Sequence, residues 1–454
     1  MKNYVSRTFL LTLIIFAALV GLYFLPSLSV DGYTLRKVDI FADIRTPEPD
    51  EEEMDSTLLP PPVKPVFVDT CKTGMTCIED YSDSTLRGMA KFYEALGKVK
   101  KMNRPVRIAV FGDSFIEADI FTADLRSLLQ TQFGGSGVGF IPVTSMTSGY
   151  RPTVRHSFGG WSSHCVTDSI FNHSKQGISG HYFIPRSGAY IEAKGQTKYG
   201  NHLDTCEVAT LYFVNKGNLQ ITSRINNKIE EQYEPDALGR LQEVSVKGHI
   251  GSVRWMINQA DSALFYGVAM DAENGICVDN FSLRGSSGLS LRGIPEPMLR
   301  EFNAQRTYDL IVLEYGLNVA TPRGKNYDRY KAGMLTVVEH LKNCFPDAGI
   351  LIMGVGDREY KTETGELRTM PGVKNLIRYQ QAIAAESSVA FWNMYEAMGG
   401  EGSMAKMVHA KPSMANYDYT HINFRGGEHL AKLLYETLMY GKQQYDRRQQ
   451  YETE

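Results

Sequence analysis

"IAVFGDSFIEAD", residues 108–119, sets four apolar residues against an abrupt Gly112-Asp113-Ser114, and an amphipathic segment follows. The apolar run reads as a buried strand and the segment after it as a helix, so the GDS triplet stands at a strand-to-helix corner. Gly, Asp and Ser are all good turn formers, which is one reading of the corner. The other is that the corner exposes Ser114 as a nucleophile. That reading requires a base, an acid to orient the base, and oxyanion donors elsewhere in the chain.

Around this corner the chain alternates strands and helices. An amphipathic helix precedes it, with Leu86, Met89, Phe92, Tyr93 and Leu96 on one face and Ser82 or Ser84 as caps. Val106–Phe111 is the first strand, and a helix is predicted over Ile116–Phe133. The rhythm resumes near residue 270 with the strands "GICVDNFSL", "YDLIVLEYG", "GILIMGVG" and "VAFWNM", separated by helices. Nearly continuous apolar strands of this kind belong to a parallel sheet covered on both faces. Between residues 150 and 270 the pattern is short strands and Gly/Asn/Asp turns, such as "GHYFIP", "GAYIEAKG", "EVATLYFV" and "VRWMINQ". That pattern predicts a β-sandwich or jelly roll inserted into the α/β part.

Of ten histidines, His421 alone has an aspartate three positions before it, Asp418 in "NYDYTHINFRGG". Asp418 can hold one ring nitrogen while the other faces Ser114. "VDNFSLRGSSG" ends a strand near Gly285, whose N–H can approach a substrate oxygen, and "VLEYGLNVA" ends another near Asn318, whose amide can donate. Each alone reads as an ordinary loop. Together, Ser114, Gly285 and Asn318 all follow predicted parallel strands, whose C-terminal ends share one edge where α/β sheets build sites.

Gly112-Asp113-Ser114, Gly285, Gly316-x-Asn318 and Asp418-x-x-His421 resemble the four ordered blocks of the SGNH (GDSL) hydrolases, over roughly residues 75–150 and 270–440. The resemblance implies an α/β, flavodoxin-like three-layer fold with a parallel sheet. It implies Ser114 as nucleophile and Asp418 and His421 as the rest of a triad. Gly285 and Asn318, with the N–H of Ser114, would form the oxyanion hole. "FGGSGVGFIP", "YGLNVA" and "FWNMYEAMGGEGSM" further resemble the peptidoglycan O-acetylesterases of that superfamily. Those carry a β-sandwich similar to a carbohydrate-binding module after the first βα unit. Many members have Asp after the block-three Asn; here Val319 follows, so no acid is available there. The expected function is a serine esterase that removes acetyl groups from a cell-wall or extracellular glycan. Transfer of the acetyl group to a glycan, and a non-enzymatic glycan-binding protein, are the alternatives.

The chain has 454 residues, 43% hydrophobic and 22% charged, with a formal net charge of −3. No global field attracts nucleic acid. Lys2 and Arg7 precede an apolar run, Phe9–Leu25, near the short limit of a membrane span. A retained anchor with a cytoplasmic N-terminus is expected, with a cleaved signal peptide as rival. Both put the rest of the chain outside the cytoplasm. The expected division is 1–26 as anchor and 27–70 as acidic, proline-rich linker. Residues 71–149 and 271–445 then form the two parts of the α/β domain, and 150–270 the β insert. Cys71 and Cys77 in "CKTGMTC" read as a disulfide, while Cys165, Cys206, Cys277 and Cys344 are scattered. No metal-ligand spacing or cofactor motif stands out; "GGSGVGF" follows a helix and lacks the Lys-Ser/Thr of a phosphate loop. Trp161, Trp255, Tyr182 and Tyr190 read as aromatic core, with a sugar-stacking platform as the alternative.

Overall fold

The computed structural model describes residues 4–23, 29–30, 33–34, 71–82 and 88–453. The chain forms two units, Met1–Pro60 and Pro61–Glu454. In the first, Tyr4–Tyr23 is a helix of 20 residues with Phe9, Leu10, Leu11, Leu13, Ile14, Ile15 and Phe16 exposed. Among the described residues, no helix is long and apolar enough to cross a membrane. Most of the linker expected over 27–70, with Leu86 and Ser84 of the early helix, lies outside the described residues.

The second unit is built on a six-stranded sheet. Its order is Ile276–Ser282, Val106–Gly112, Leu310–Glu314, Gly349–Met353, Ala390–Trp392 and Glu79–Asp80. The first five strands are parallel and the last is antiparallel. Numbered along the chain, the parallel strands run 2-1-3-4-5, the flavodoxin-like order. Leu310–Glu314 and Gly349–Met353 are buried at every position, as strands covered on both faces must be. The early helix begins only at Ala90.

Residues 139–271 supply a nine-stranded antiparallel sheet. Its own core gathers Phe183, Leu211, Phe213, Trp255 and Phe265. "GHYFIP" and "GAYIEAKG" are one strand, His181–Gly195, whose exposed middle at Arg186, Ser187 and Gly188 carries the turn-like signal. Gly139–Pro142 also joins this sheet, by pairing with Ala263–Asp271. Trp255 is fully buried, and Tyr182 is buried. Trp161 Nε1 donates to Tyr190 O at 2.7 Å, and the Arg254 guanidinium covers the Tyr190 ring at 3.9 Å. Trp255 and Tyr182 are thus core residues, whereas Trp161 and Tyr190 remain partly exposed.

The two sheets meet at a fully buried ionic cluster. Arg306 lies between Asp271, at the end of the insert, and Asp279, in the second parallel strand. Its Nη2 donates to Asp271 Oδ1 at 3.0 Å and to Asp279 Oδ1 at 2.7 Å, and Tyr308 donates to Asp279 at 2.6 Å. Burial pushes the Asp279 carboxyl up, but the Arg306 charge and these donors hold it below the usual carboxylate range. Asp271, Cys277 and Asp279 hold ligand atoms within 4.8 Å of one another. The guanidinium occupies the space between them, so the cluster is an ion pair rather than a metal cage.

Candidate active site

The first parallel strand ends at Gly112, level with Ser282 and Glu314 on its two neighbours. A Cβ on Gly112 would lie 2.9 Å from Glu314 O and 2.6 Å from Ile116, so glycine permits this close approach. Ser114 follows, at 9% exposure. It stands at the C-terminal edge between strands 1 and 3, the switch point where open α/β sheets bind ligands.

The segment after Ser114 departs from the expected helix. Ala118 and Asp119 have φ of +53° and +63°, and the helix starts at Thr122. The reason is Asp119, a buried carboxylate aimed inward rather than at solvent. It bonds Thr122 at 2.7 Å, Arg126 at 3.3 Å and Arg151 at 2.9 Å, and Thr153 as well. Arg151 and Thr153 come from the chain entering the insert, so the β part is tied directly to the nucleophile segment.

His421 approaches from the other side. A bridge between Ala415 and Ile422 closes the loop that carries it, with Tyr419 at φ +53° at the turn. Asn423 caps the last helix, Phe424–Thr453, by accepting from the N–H groups of Arg425 and Gly426 at 3.0 and 3.3 Å. Ser114 Oγ lies 3.1 Å from His421 Nε2, and His421 Nδ1 lies 2.8 Å from Asp418 Oδ2. Asp418 Oδ1 also accepts from the N–H groups of Thr420 and His421, at 2.9 and 3.0 Å. Partial burial works against the Asp418 charge, but these donors hold its carboxyl below the usual range. The carboxylate stays ionised, keeps the ring proton on Nδ1 and leaves Nε2 free to accept from Ser114.

The helix cap fixes this approach through Gly427. A Cβ there would lie 1.8 Å from Ile120 O. We expect Gly427→Ala to push the His421 loop away from Ser114, lowering any turnover that depends on the pair at least about tenfold. Overpacking should also cost about 1–3 kcal/mol, read by denaturant melts. Unchanged turnover would show that the helix can give way.

Gly285 sits at φ +77°, with open space where a side chain would be. Its N–H has no acceptor among the described residues, so it is available to a ligand. Asn318 is brought to the same place, but its amide is occupied. Nδ2 donates to Asp113 Oδ2 and to Ser286 O, both at 2.9 Å. Asn318 thus ties the GDS corner to the Gly285 loop.

Sequence reading missed the acids beneath the corner. Asp113 has 0% exposure, and its Oδ1 accepts from Phe115 N at 2.9 Å. Burial pushes its carboxyl up to about 6, against the pull of the Phe115 N–H, His421 and Asn318, with the Glu117 charge adding to the rise. Glu314 is also fully buried, and neither carboxyl oxygen has a hydrogen-bond partner among the described residues. Burial, and then the Asp113 charge, push its carboxyl well above the usual carboxylate range. No local signal marks this, since Glu314 reads simply as the end of an apolar strand.

A raised folded-state value means that the folded chain binds the Asp113 proton more tightly than the unfolded chain. Asp113 should therefore lower stability as pH rises from about 4 to 6. Asp113→Asn should remove that slope, up to about 3 kcal/mol across the window. Parallel stability–pH curves for the two proteins would refute the assignment.

No family model matches this chain, and no curated protein matches it in sequence. Among solved structures, one described as "Peptidoglycan O-acetylesterase in action, 5 min" superposes with a TM-score of 0.66 at 20% identity, covering 81% of this chain and 99% of that one. The chain has the fold of that enzyme. The expected α/β domain with a β insert therefore stands, as a fold. Family two carbohydrate esterases from Cellvibrio japonicus and from Clostridium thermocellum, the latter in complex with cellohexaose, also match. They do so at 10% and 12% identity, each with a TM-score of 0.27, covering 67% and 63% of this chain and 98% and 100% of theirs. That likeness is too loose to argue from.

Proposed function

We propose that this chain is a serine esterase of SGNH type that removes O-acetyl groups from a cell-wall or extracellular glycan. The observation that carries the reading is the continuous bond path from Ser114 through His421 to Asp418, at 3.1 and 2.8 Å. The fold shared with a peptidoglycan O-acetylesterase supports the substrate class. Ser114 Oγ attacks the acetyl carbonyl carbon and passes its proton to His421 Nε2. His421 returns that proton to the sugar oxygen as the C–O bond breaks, leaving an acetyl-serine. Water, deprotonated by His421, then releases acetate and restores Ser114.

The N–H groups of Gly285 and Ser114 and the amide of Asn318 are the donors for the oxyanion. Because both Asn318 protons are engaged at rest, the developing charge must draw one from Asp113 or Ser286. Asn318→Ala should lower kcat by about 10²–10³ with little change in KM. It should also cost about 1–3 kcal/mol of stability, because the Asp113 carboxylate loses a buried donor. A change confined to KM would make Asn318 a binding residue instead.

The Lys2/Arg7 flank and the Phe9–Leu25 run are the sequence grounds for an extracytoplasmic location, although the described helix Tyr4–Tyr23 falls short of a membrane span. The deciding experiment is acetate release from O-acetylated peptidoglycan and from acetylated xylan, side by side. Acetate from neither overturns the reading. Acetyl groups recovered on an added acceptor sugar, with little free acetate, would make the protein a transferase.

A further inference from the structure

Tyr315, Gly316 and Leu317, which lead to Asn318, are each tied to the segment that follows the fourth parallel strand, Gly349–Met353. Gln380, buried in the helix Pro371–Glu386, donates from Nε2 to Tyr315 O at 2.7 Å and accepts at Oε1 from Val355 N at 2.9 Å. A Cβ on Gly316 would lie 2.5 Å from the Val355 side chain, so Gly316 packs directly against Val355. Arg358 Nη1 donates to Leu317 O at 2.8 Å. That carbonyl has no other donor among the described residues.

The Leu317 carbonyl and the Asn318 N–H belong to one planar peptide, so a bond that fixes the first also fixes where Asn318 begins. Val319 N and Ala320 N close the turn, both donating to Gly316 O at 2.9 Å. From this turn the Asn318 amide reaches Asp113 and Ser286.

The same segment holds the histidine loop. Glu359 N donates at 3.0 Å to the carbonyl of Tyr419, which lies between Asp418 and His421 in the chain. The support is itself rigid. Arg358 O accepts from Met370 N at 2.8 Å, and the buried Asp357 accepts from Thr369 Oγ1 and from Met404 N, both at 2.9 Å. Pairing of Glu359–Lys361 with Leu367–Thr369 closes the hairpin. Adjacent residues thus bond both sides of the site, Arg358 by its side chain and Glu359 by its backbone.

We infer that Arg358 is a positioning residue of the esterase and acts through Asn318. The inference rests on the esterase reading of Ser114, His421 and Asp418. The guanidinium keeps the Leu317–Asn318 peptide in register with the loop that carries His421. Asn318 Nδ2 can then turn from Asp113 or Ser286 to the oxyanion while the turn beneath it stays in place. The bond to Leu317 O is charge-assisted, and the planar guanidinium loses little freedom in making it. Without it the peptide rotates, and a displacement of about 1 Å at the site costs about 10²-fold in rate. The loss falls on kcat, because the oxyanion develops only in the transition state.

The test is kcat and KM for 4-nitrophenyl acetate with the full-length protein. Arg358→Met should lower kcat about 10²-fold and move KM by no more than about twofold. Arg358→Lys keeps one donor for Leu317 O and should hold kcat within about tenfold of the unaltered protein. Asn318→Ala removes the amide through which Arg358 acts, so the double variant with Arg358→Met should lose little more than Asn318→Ala alone. Losses that multiply in the double variant, a change confined to KM, or equal kcat in the Met and Lys variants each overturn the inference. If Arg358→Met does not fold, Arg358→Gln, whose amide is too short to reach Leu317 O, takes its place in the same comparisons. No ester hydrolysis by the unaltered protein would overturn the esterase reading itself, and this role with it.

Discussion

Ser114→Ala should reduce turnover of a small aryl acetate by about 10⁶, close to the background left when a triad nucleophile is removed. The size follows from the chemistry: among the described residues Ser114 Oγ is the one hydrogen-bond partner of His421 Nε2, and general-base action needs something to deprotonate. Folding should survive. The Ser114 hydroxyl has His421 as its partner, and that ring is partly exposed, so water can replace the lost bond. A purified variant that keeps more than about one part in a hundred of the turnover would exclude Ser114 as nucleophile. A serine-directed phosphonate should label the unaltered protein at Ser114 and fail on the variant.

Asp418→Asn tests the other end of the same path and should cost about 10⁴ in kcat at neutral pH. The substituted amide keeps an oxygen for the N–H groups of Thr420 and His421, so the loop keeps its shape. The second position changes from acceptor to donor, and it now faces a donor at His421 Nδ1. The ring relieves that clash by moving its proton to Nε2, where it can no longer accept from Ser114. Circular dichroism should match the unaltered protein while kcat collapses and KM stays nearly constant. A loss below tenfold would mean that another group orients His421.

How much of this was legible depends on how local each piece is. The strand ending in GDS and the Asp418-x-x-His421 spacing are each written within a few residues, by local steric and hydrogen-bonding rules. So are the apolar runs of the parallel strands. The helix predicted from Ile116 failed because the decisive partner of Asp119 is Arg151, 32 residues further along the chain. Gly139–Pro142 carries too little pattern to declare its sheet; pairing with Ala263–Asp271 decides it. The occupied amide of Asn318 rests on Asp113, 205 positions earlier. The Glu314 carboxyl is pushed up because the strands beside it exclude water. Residue types and short-range geometry, which the sequence alone determines, nominated the nucleophile, base and acid. Register between distant strands, and the desolvation that packing imposes, are properties of the assembled molecule. They alone decided which donors are free and which acids are buried away from water.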